Sequence, residues 1–350
     1  MVKNISNYFK KSKKLRLPYI IAECGVNHEG SIKIAKKQIE LAKKGGADAV
    51  KFQTYKANTL ASKYSPSYWD TTKEKTRSQY ELFKKHDKFW KNEFEILARH
   101  CEKNEIEFLS TPFDFESAKF LSNLVKAYKI SSSDITNKPF IDYICSFKKP
   151  IILSTGASNL PEIKRGVKWI KNKKIKLALL HCILNYPTLD SNANLSMITS
   201  LKNNFNDIVI GYSDHTLPSV NVINTSYALG SEIIEKHFTH NKKLKGNDHY
   251  HSMDVNDLKK IVNGINKTYS ILGTDEKKYL KSELISRKNA RRSIYSVSNL
   301  KRNHKIRKED IVYKRPGGGI PPYETNKIIG LTLKKNIKED QQIKFKHLKI

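Results

Sequence analysis

The polar residues of this 350-residue chain that could do chemistry recur at one kind of place, the end of a short apolar run. One run carries Glu23 and leads into Asn27-His28, and the next holds Lys51 and Gln53. Later runs end in Lys129-Ile130-Ser131-Ser132, in Ser154-Thr155-Gly156, in His181 followed by Asn185-Tyr186-Pro187, in Ser213-Asp214-His215 and in Glu235-Lys236-His237. Side chains alternate along an extended strand, so Lys51 shares a face with Gln53, Ser213 with His215, and Glu235 with His237.

These residues fall into chemical types. Lys51 and Lys129 supply positive charge, while Ser132, Ser154 and Ser213 supply hydroxyls beside small-residue turns whose amides can bind anions. Together they suit a phosphate and a carboxylate. His215 and His237 end successive runs, so both imidazoles could meet on one divalent cation whose open positions are left to water, a Lewis-acid site rather than a closed structural one. Glu23 and Asp248 add carboxylates for proton transfer or for binding sugar hydroxyls. His249 and His251 have no place in this scheme.

The elements that must hold these groups alternate in kind. Apolar runs rich in Ile, Val and Leu at 19–26, 49–54, 106–111, 127–132, 150–155, 177–183, 208–213 and 232–238 predict strands. Amphipathic segments at 32–44, 91–103, 116–124, 139–147, 160–171, 195–204, 220–229 and 255–272 predict the helices between them. Eight strand–helix units predict a (β/α)8 barrel, an α/β fold whose active site is built at the carboxyl ends of its strands; an open doubly wound sheet is the structural rival. The segment 56–87, rich in Ser, Tyr and Lys, reads as a long active-site loop. After Asn289 the texture changes to short β-like pieces, 292–297 and 311–313, and the turn-rich run Pro316-Gly317-Gly318-Gly319-Ile320-Pro321-Pro322. A barrel over residues 1–285 and a small β-rich domain over 286–350 are expected.

The formal net charge of +31 raises nucleic acid or an acidic membrane as partners. The lysines are instead interleaved with Asn and Ile throughout, with no localised basic stripe and no aromatic platforms, so a solvated basic surface that attracts an anionic substrate is expected. Cys24, Cys101, Cys145 and Cys182 lack metal-ligand spacing and read as reduced thiols within elements. The Lys-rich start lacks a signal-like apolar run, and no stretch approaches the roughly 20 apolar residues of a membrane span, so a cytoplasmic protein without a membrane partner is expected.

The segments IIAECGVNHEG, GADAVKFQTYKA, FLSTPFD, KISSSDITN, ILSTGAS, LLHCILNYPT, IGYSDHT, EKHFTH, GNDHYHSMD and KRPGGGIPP give the chain a resemblance to the N-acetylneuraminate (sialic acid) synthase family over nearly its whole length. The resemblance implies a barrel followed by a C-terminal antifreeze-like (SAF) domain, in a homodimer whose SAF domain covers the partner's barrel mouth. It implies condensation of phosphoenolpyruvate with an open-chain N-acylated amino sugar, N-acetylmannosamine first, to give a nine-carbon 2-keto sugar acid and phosphate. A legionaminic or pseudaminic acid synthase acting on a diacetamido-trideoxy sugar is the enzymatic alternative, and a non-catalytic nucleic-acid binder the distant one. On the family pattern His215 and His237 hold manganese, with magnesium or cobalt as substitutes; Lys51, Lys129, Ser132, Ser154 and Ser213 hold phosphoenolpyruvate. Gln53, Asn185, Tyr186 and Asp248 face the sugar, Glu23 is the acid–base group, and Arg315 reaches the sugar's acyl group across the dimer. The chain departs from the pattern at Ile183-Leu184-Asn185 and in GNDHYH, where relatives commonly read GPDH.

Overall fold

The computed structural model describes residues 3–12, 14–246 and 248–349. The chain separates into two compact units, Met1–Thr274 and Asp275–Ile350.

In the first unit eight parallel strands, β1 (Tyr19–Gly25), β2 (Ala49–Thr54), β3 (Glu107–Pro112), β4 (Tyr128–Ile130), β5 (Ile151–Ser154), β6 (Leu177–His181), β7 (Val209–Asp214) and β8 (Ile233–His237), form one sheet. Its order is β3-β2-β1-β8-β7-β6-β5-β4, and β3 and β4 come alongside each other, so the sheet curls into a nearly closed barrel. Helices follow the strands at the places the amphipathic pattern marks, from Ile32–Gly45 to Val255–Leu272. Their starts are fixed by side chains that accept backbone N–H bonds: Ser31, Asp114, Asn159 and Asp254 each cap a first turn. The segment 56–87 is not a bare loop. It folds into two short helices, Ala57–Leu60 and Gln79–His86, with Leu82 buried and Asp87 accepting the Ala57 N–H.

Alternation along the strands divides the core in two. Ile20, Ala22, Val50, Phe52, Ile210, Tyr212 and Ile234 face outward into the layer beneath the helices. Tyr19, Ile21, Ala49, Leu109, Ile152, Leu180, Val209 and Ile233 face inward and fill the lower barrel. The turn Ile5–Phe9 closes the bottom: Glu107 accepts the Ile5 N–H at 3.1 Å and the Tyr19 hydroxyl at 2.9 Å. With the lower half otherwise filled by hydrocarbon, the upper positions of the strands are left for the other polar groups.

The second unit carries the helix Leu284–Ala290 and two antiparallel pairs, β9 (Ser293–Ser296) with β10 (Ile311–Lys314) and β11 (Thr332–Leu333) with β12 (Leu348–Lys349). It packs its own core of Ile294, Leu300, Ile306, Ile328, Leu333, Ile337, Ile343 and Leu348. All four cysteines are buried and free, and no helix of the described residues is long and apolar enough to cross a membrane.

Gly211 marks where the inner packing is tightest. A β-carbon there would run into the Ile233 carbonyl oxygen of the neighbouring strand and into Leu180 Cδ2 at 2.5 Å. Since backbone cannot step aside as a side chain can, Gly211→Ala should destabilise the barrel by about 1–3 kcal/mol. Urea unfolding of the two proteins measures this, and an unchanged midpoint would show that β7 and β8 are loosely held.

Candidate active site

The upper inward positions form one polar cavity. Glu23 from β1, Lys51 and Gln53 from β2, Thr111 from β3, Lys129 from β4, Ser154 from β5, Ser213 from β7, and Glu235 and His237 from β8 line it, with Ser132, Cys182, Tyr186 and His215 from the turns that follow strands. A second cleft opens above it, sharing Gln53, Tyr186 and His237 and adding Asp248, Tyr55, Tyr68, Trp69 and Phe83. The 56–87 segment thus supplies an aromatic wall.

Four opposite charges sit at the bottom with almost no exposure. Lys51 Nζ touches the Glu23 carboxylate and Thr111 Oγ1 (3.0 Å), and lies 3.8 Å from Glu235 Oε2. Lys129 Nζ donates to Ser154 Oγ at 2.7 Å and lies 3.6 Å from Glu235 Oε1, which also accepts the Ser213 hydroxyl at 2.9 Å. Burial alone would favour the uncharged forms. It pushes the Glu235 carboxyl up, but Lys129 and Lys51 together outweigh it and hold the group down to about 2. For Lys51 burial opposes the charge, yet Glu23 and Glu235 raise its ammonium above the ordinary value. Lys129 goes the other way: burial lowers it, and the more distant Glu235 compensates only in part. Burial also pushes Glu23 up, despite Lys51 beside it.

Small size is required beside these lysines. A β-carbon on Gly156 would meet Cys182 Sγ at 2.7 Å and Ser132 Oγ at 3.0 Å, so only glycine leaves the space that the Ser132 and Ser154 hydroxyls surround.

The two histidines lie at the boundary between cavity and cleft, with ring centroids 5.5 Å apart. His215 Nδ1 donates to the Ile183 carbonyl at 2.6 Å, which leaves Nε2 as a free lone pair. Burial, reinforced by His237, lowers His215 to about 3, so its imidazole is neutral. His237 Nδ1 is buried without a hydrogen-bond partner, 3.4 Å from Asp248 Oδ2. Burial would lower His237, but Asp248 overrides it and raises the group, while Asp248 itself is held well below the usual range by His237 and His251 against the effect of burial. Such a separation lets both rings reach one ion at the roughly 2.1 Å nitrogen–metal distance of imidazole ligands. Among the described residues no group of three or more His, Cys, Asp or Glu is arranged to hold a metal, so a cation here would have two imidazoles and otherwise open positions.

Most residues picked out from the sequence converge on these two spaces. Asn185 does not: it is exposed, and its carbonyl accepts the Thr188 hydroxyl. Arg315 is exposed at the end of β10 in the second unit. Asn247 of the GNDHYH segment lies outside the described residues. Glu235, inward-facing by alternation but without an assigned role in the sequence, is the group both lysines share; its signal was two cations on the same layer with only Glu23 to balance them. Thr111 and Cys182 lie within the FLSTPFD and LLHCILNYPT segments but had no assigned role, and the Tyr68, Trp69 and Phe83 side of the aromatic wall lies outside every quoted segment. His251, unplaced in the sequence, lies against His237 with centroids 5.2 Å apart and Nε2 3.5 Å from Asp248 Oδ1.

Against known proteins, the NeuB family profile matches residues 38–277 and the SAF domain profile residues 291–349. The chain belongs to the NeuB family. It is 38% identical over 338 residues, 94% of each chain, to the N,N'-diacetyllegionaminic acid synthase of Legionella pneumophila. It is 31% identical over 354 residues, 93% of this chain and 94% of the other, to the N-acetylneuraminate-9-phosphate synthase of Drosophila melanogaster. Among solved structures it is similar to the N-acetylneuraminic acid synthetase from Leptospira borgpetersenii in complex with citrate, at 33% identity and a TM-score of 0.69 over 77% of this chain and 90% of that one. The NeuB-family fold of a barrel followed by an SAF domain is therefore established.

The charge cluster yields a binding prediction. Lys129→Met removes the cation that Ser154 orients, and a charge-assisted hydrogen bond contributes about 1.5–3 kcal/mol. Inorganic phosphate, titrated calorimetrically, should therefore bind on the order of ten- to a hundredfold more weakly; undiminished binding would place the anion elsewhere.

Proposed function

We propose that this NeuB-family chain condenses phosphoenolpyruvate with an open-chain N-acylated amino sugar and water, giving a 2-keto sugar acid and phosphate. The observation that carries the reading is the pairing of two buried lysines and three serine hydroxyls in the inner cavity with two imidazoles at its border to a larger cleft. Lys51 and Lys129 hold the phosphate and carboxylate, and Ser132, Ser154 and Ser213 orient them. His215 and His237 would hold a divalent ion, manganese by preference, which supplies Lewis-acid polarisation of the sugar's aldehyde. Gln53, Tyr186 and Asp248 position the sugar so that the methylene carbon of phosphoenolpyruvate forms a bond to the aldehyde carbon. The cationic carbon left behind adds water and loses phosphate, with Glu23, beside Gln53, moving the proton. The lysines act as charge clamps, and no Schiff base is needed.

For the sugar, 38% identity to a legionaminic acid synthase, against 31% and 33% to the N-acetylneuraminate enzymes, favours a diacetamido-trideoxy substrate. The wall of Tyr55, Tyr68, Trp69, Leu82 and Phe83 supports it, since a methyl and two acetyl groups gain more from aromatic contact than a polyhydroxyl chain does. N-acetylmannosamine is the second reading, favoured by the likeness to the Leptospira enzyme. Incubating each sugar with phosphoenolpyruvate and manganese, while phosphate release and product mass are recorded, decides between them. A cytoplasmic homodimer in which the SAF domain of one subunit covers the partner's barrel, with Arg315 against the acyl group, belongs to the same reading; the family resemblance and the exposure of Arg315 support it.

Three results test the scheme. Chelated protein, verified metal-free, should lose turnover and regain it with manganese; full activity without metal would remove His215 and His237 from the chemistry. Because burial raises Glu23, its acid limb in kcat/KM should lie above the ordinary carboxylate value of about 4.3, the rate rising as the carboxyl ionises. Glu23→Gln should abolish that limb and cost roughly 100-fold or more in rate, and a profile unchanged in shape would assign the proton transfer elsewhere. Finally, mixing Arg315→Ala with His215→Ala under subunit exchange should restore part of the activity, because a mixed dimer then holds one intact composite site. No recovery despite proven exchange would confine Arg315 to its own subunit.

A further inference from the structure

On the outer face of the same two strands lies a second ion pair. Asp214 and Lys236 are direct cross-strand partners in the β7–β8 register, and Lys236 Nζ meets Asp214 Oδ2 at 2.6 Å with side chains 2% and 0% exposed. Among the described residues no other ion pair outside the barrel-mouth cluster has both side chains buried below 3%. Every polar atom around it is used. Asp214 Oδ1 accepts the Tyr212 hydroxyl at 3.0 Å and the Thr216 N–H at 2.9 Å, Oδ2 accepts the Thr216 hydroxyl at 3.1 Å, and Lys236 Nζ also donates to the Thr216 carbonyl at 2.7 Å.

The position of this pair in the chain is what gives it meaning. Asp214 precedes His215 and Thr216 follows it; both are tied to Lys236, which precedes His237. One rung lower the cross-strand partners are Tyr212 and Ile234, both in the outer apolar layer, and a hydrophobic pair would serve packing at the next rung without the cost of desolvating two charges. The charged pair stands only where the two histidines turn inward. It is neutral in sum, so it adds no repulsion to a cation on the other side of the strands.

We propose that Asp214 and Lys236 are positioning residues that fix the separation and direction of the His215 and His237 imidazoles, and so set the affinity for the divalent ion. This rests on the assignment of those histidines as its ligands. Two hydrogen bonds from Lys236, to the Asp214 carboxylate and to the Thr216 carbonyl, tie both neighbours of His215 to β8, while on the β6 side the Thr188 N–H donates to the His215 carbonyl at 2.8 Å. Without the Lys236 bonds the segment is held from one side and can shift by the fraction of an ångström that a two-imidazole site would feel.

The test compares Mn2+ binding, by electron paramagnetic resonance titration, with binding of inorganic phosphate and with thermal unfolding, so that no readout depends on turnover. Asp214→Asn alone strands a buried ammonium and could fail to fold, so the informative protein is the double variant Asp214→Asn/Lys236→Met, which removes both charges together. It should unfold near the wild-type temperature, bind phosphate within about twofold of wild type, and bind Mn2+ at least about tenfold more weakly, since fixing ligand direction is worth about one decade or more. Lys236→Arg, which keeps the charge pair, should retain most of the Mn2+ affinity. Wild-type Mn2+ affinity in the double variant overturns the proposal, as does a parallel loss of phosphate binding and thermal stability, which would mark the pair as purely structural. Failure of the wild-type protein itself to bind Mn2+ overturns both this proposal and the metal assignment beneath it, and so is told apart from failure of the pair alone.

Discussion

Two lysines and two glutamates share the top of the barrel with almost no access to water, and the rest of the site is arranged around their mutual neutralisation. Removing four charges from solvent is unfavourable unless each is met at short range. Here Lys51 lies between Glu23 and Glu235, and Glu235 lies between Lys51 and Lys129. The chain of alternating sign holds the cations in place before any ligand arrives. An incoming dianion can then take over the lysines from the glutamates with little rearrangement, which is the preorganisation that electrostatic catalysis needs.

That cluster is possible because the barrel separates its two faces so sharply. The lower interior is filled by Tyr19, Ile21, Leu109, Ile152, Leu180 and Val209, so apart from Glu107 and the Tyr19 hydroxyl at the very bottom the inward polar groups gather in one layer where they meet each other rather than hydrocarbon. Among the described strand residues the outer face carries no ion pair other than Asp214 with Lys236; other polar groups there are met by partners of their own, as the Thr54 and Ser110 hydroxyls are at 2.7 Å from each other. Inside and outside are therefore decided residue by residue, and a one-residue slip of any strand would exchange them.

The histidine border has a different electrostatic character from the floor. His215 is fixed by a backbone carbonyl and kept neutral by burial, whereas His237 faces Asp248 and is drawn toward its charged form. Asp248 also meets His251, so a loop beyond β8 adjusts one ligand candidate without touching the other. The asymmetry places the more adaptable imidazole toward the cleft, where the Tyr186 ring packs against both, its centroid 4.3 Å from that of His215 and 5.7 Å from that of His237.

The eight strand–helix units and the inward turn of their side chains were readable from local periodicity: alternate residues of a strand must face opposite sides, and an apolar run ending in polar residues marks the barrel mouth. Lys51, Lys129, Ser154, Ser213, His215 and His237 were all legible in that way. Tertiary structure alone decided who meets whom. Nothing local to Glu235 says that two lysines from β2 and β4 will converge on it, since those strands lie on opposite sides of β8 in the ring. Nothing local to Tyr68 or Trp69 says that a segment reading as a loop will fold short helices and stand as an aromatic wall over the cleft. Asn185 shows the converse: its motif places it near the site, but the turn after β6 spends its carbonyl on Thr188 and leaves the side chain outside. Periodicity acts between neighbours in the chain, whereas charge balance, close approach and exposure are properties of neighbours in space, and only closure of the barrel creates those.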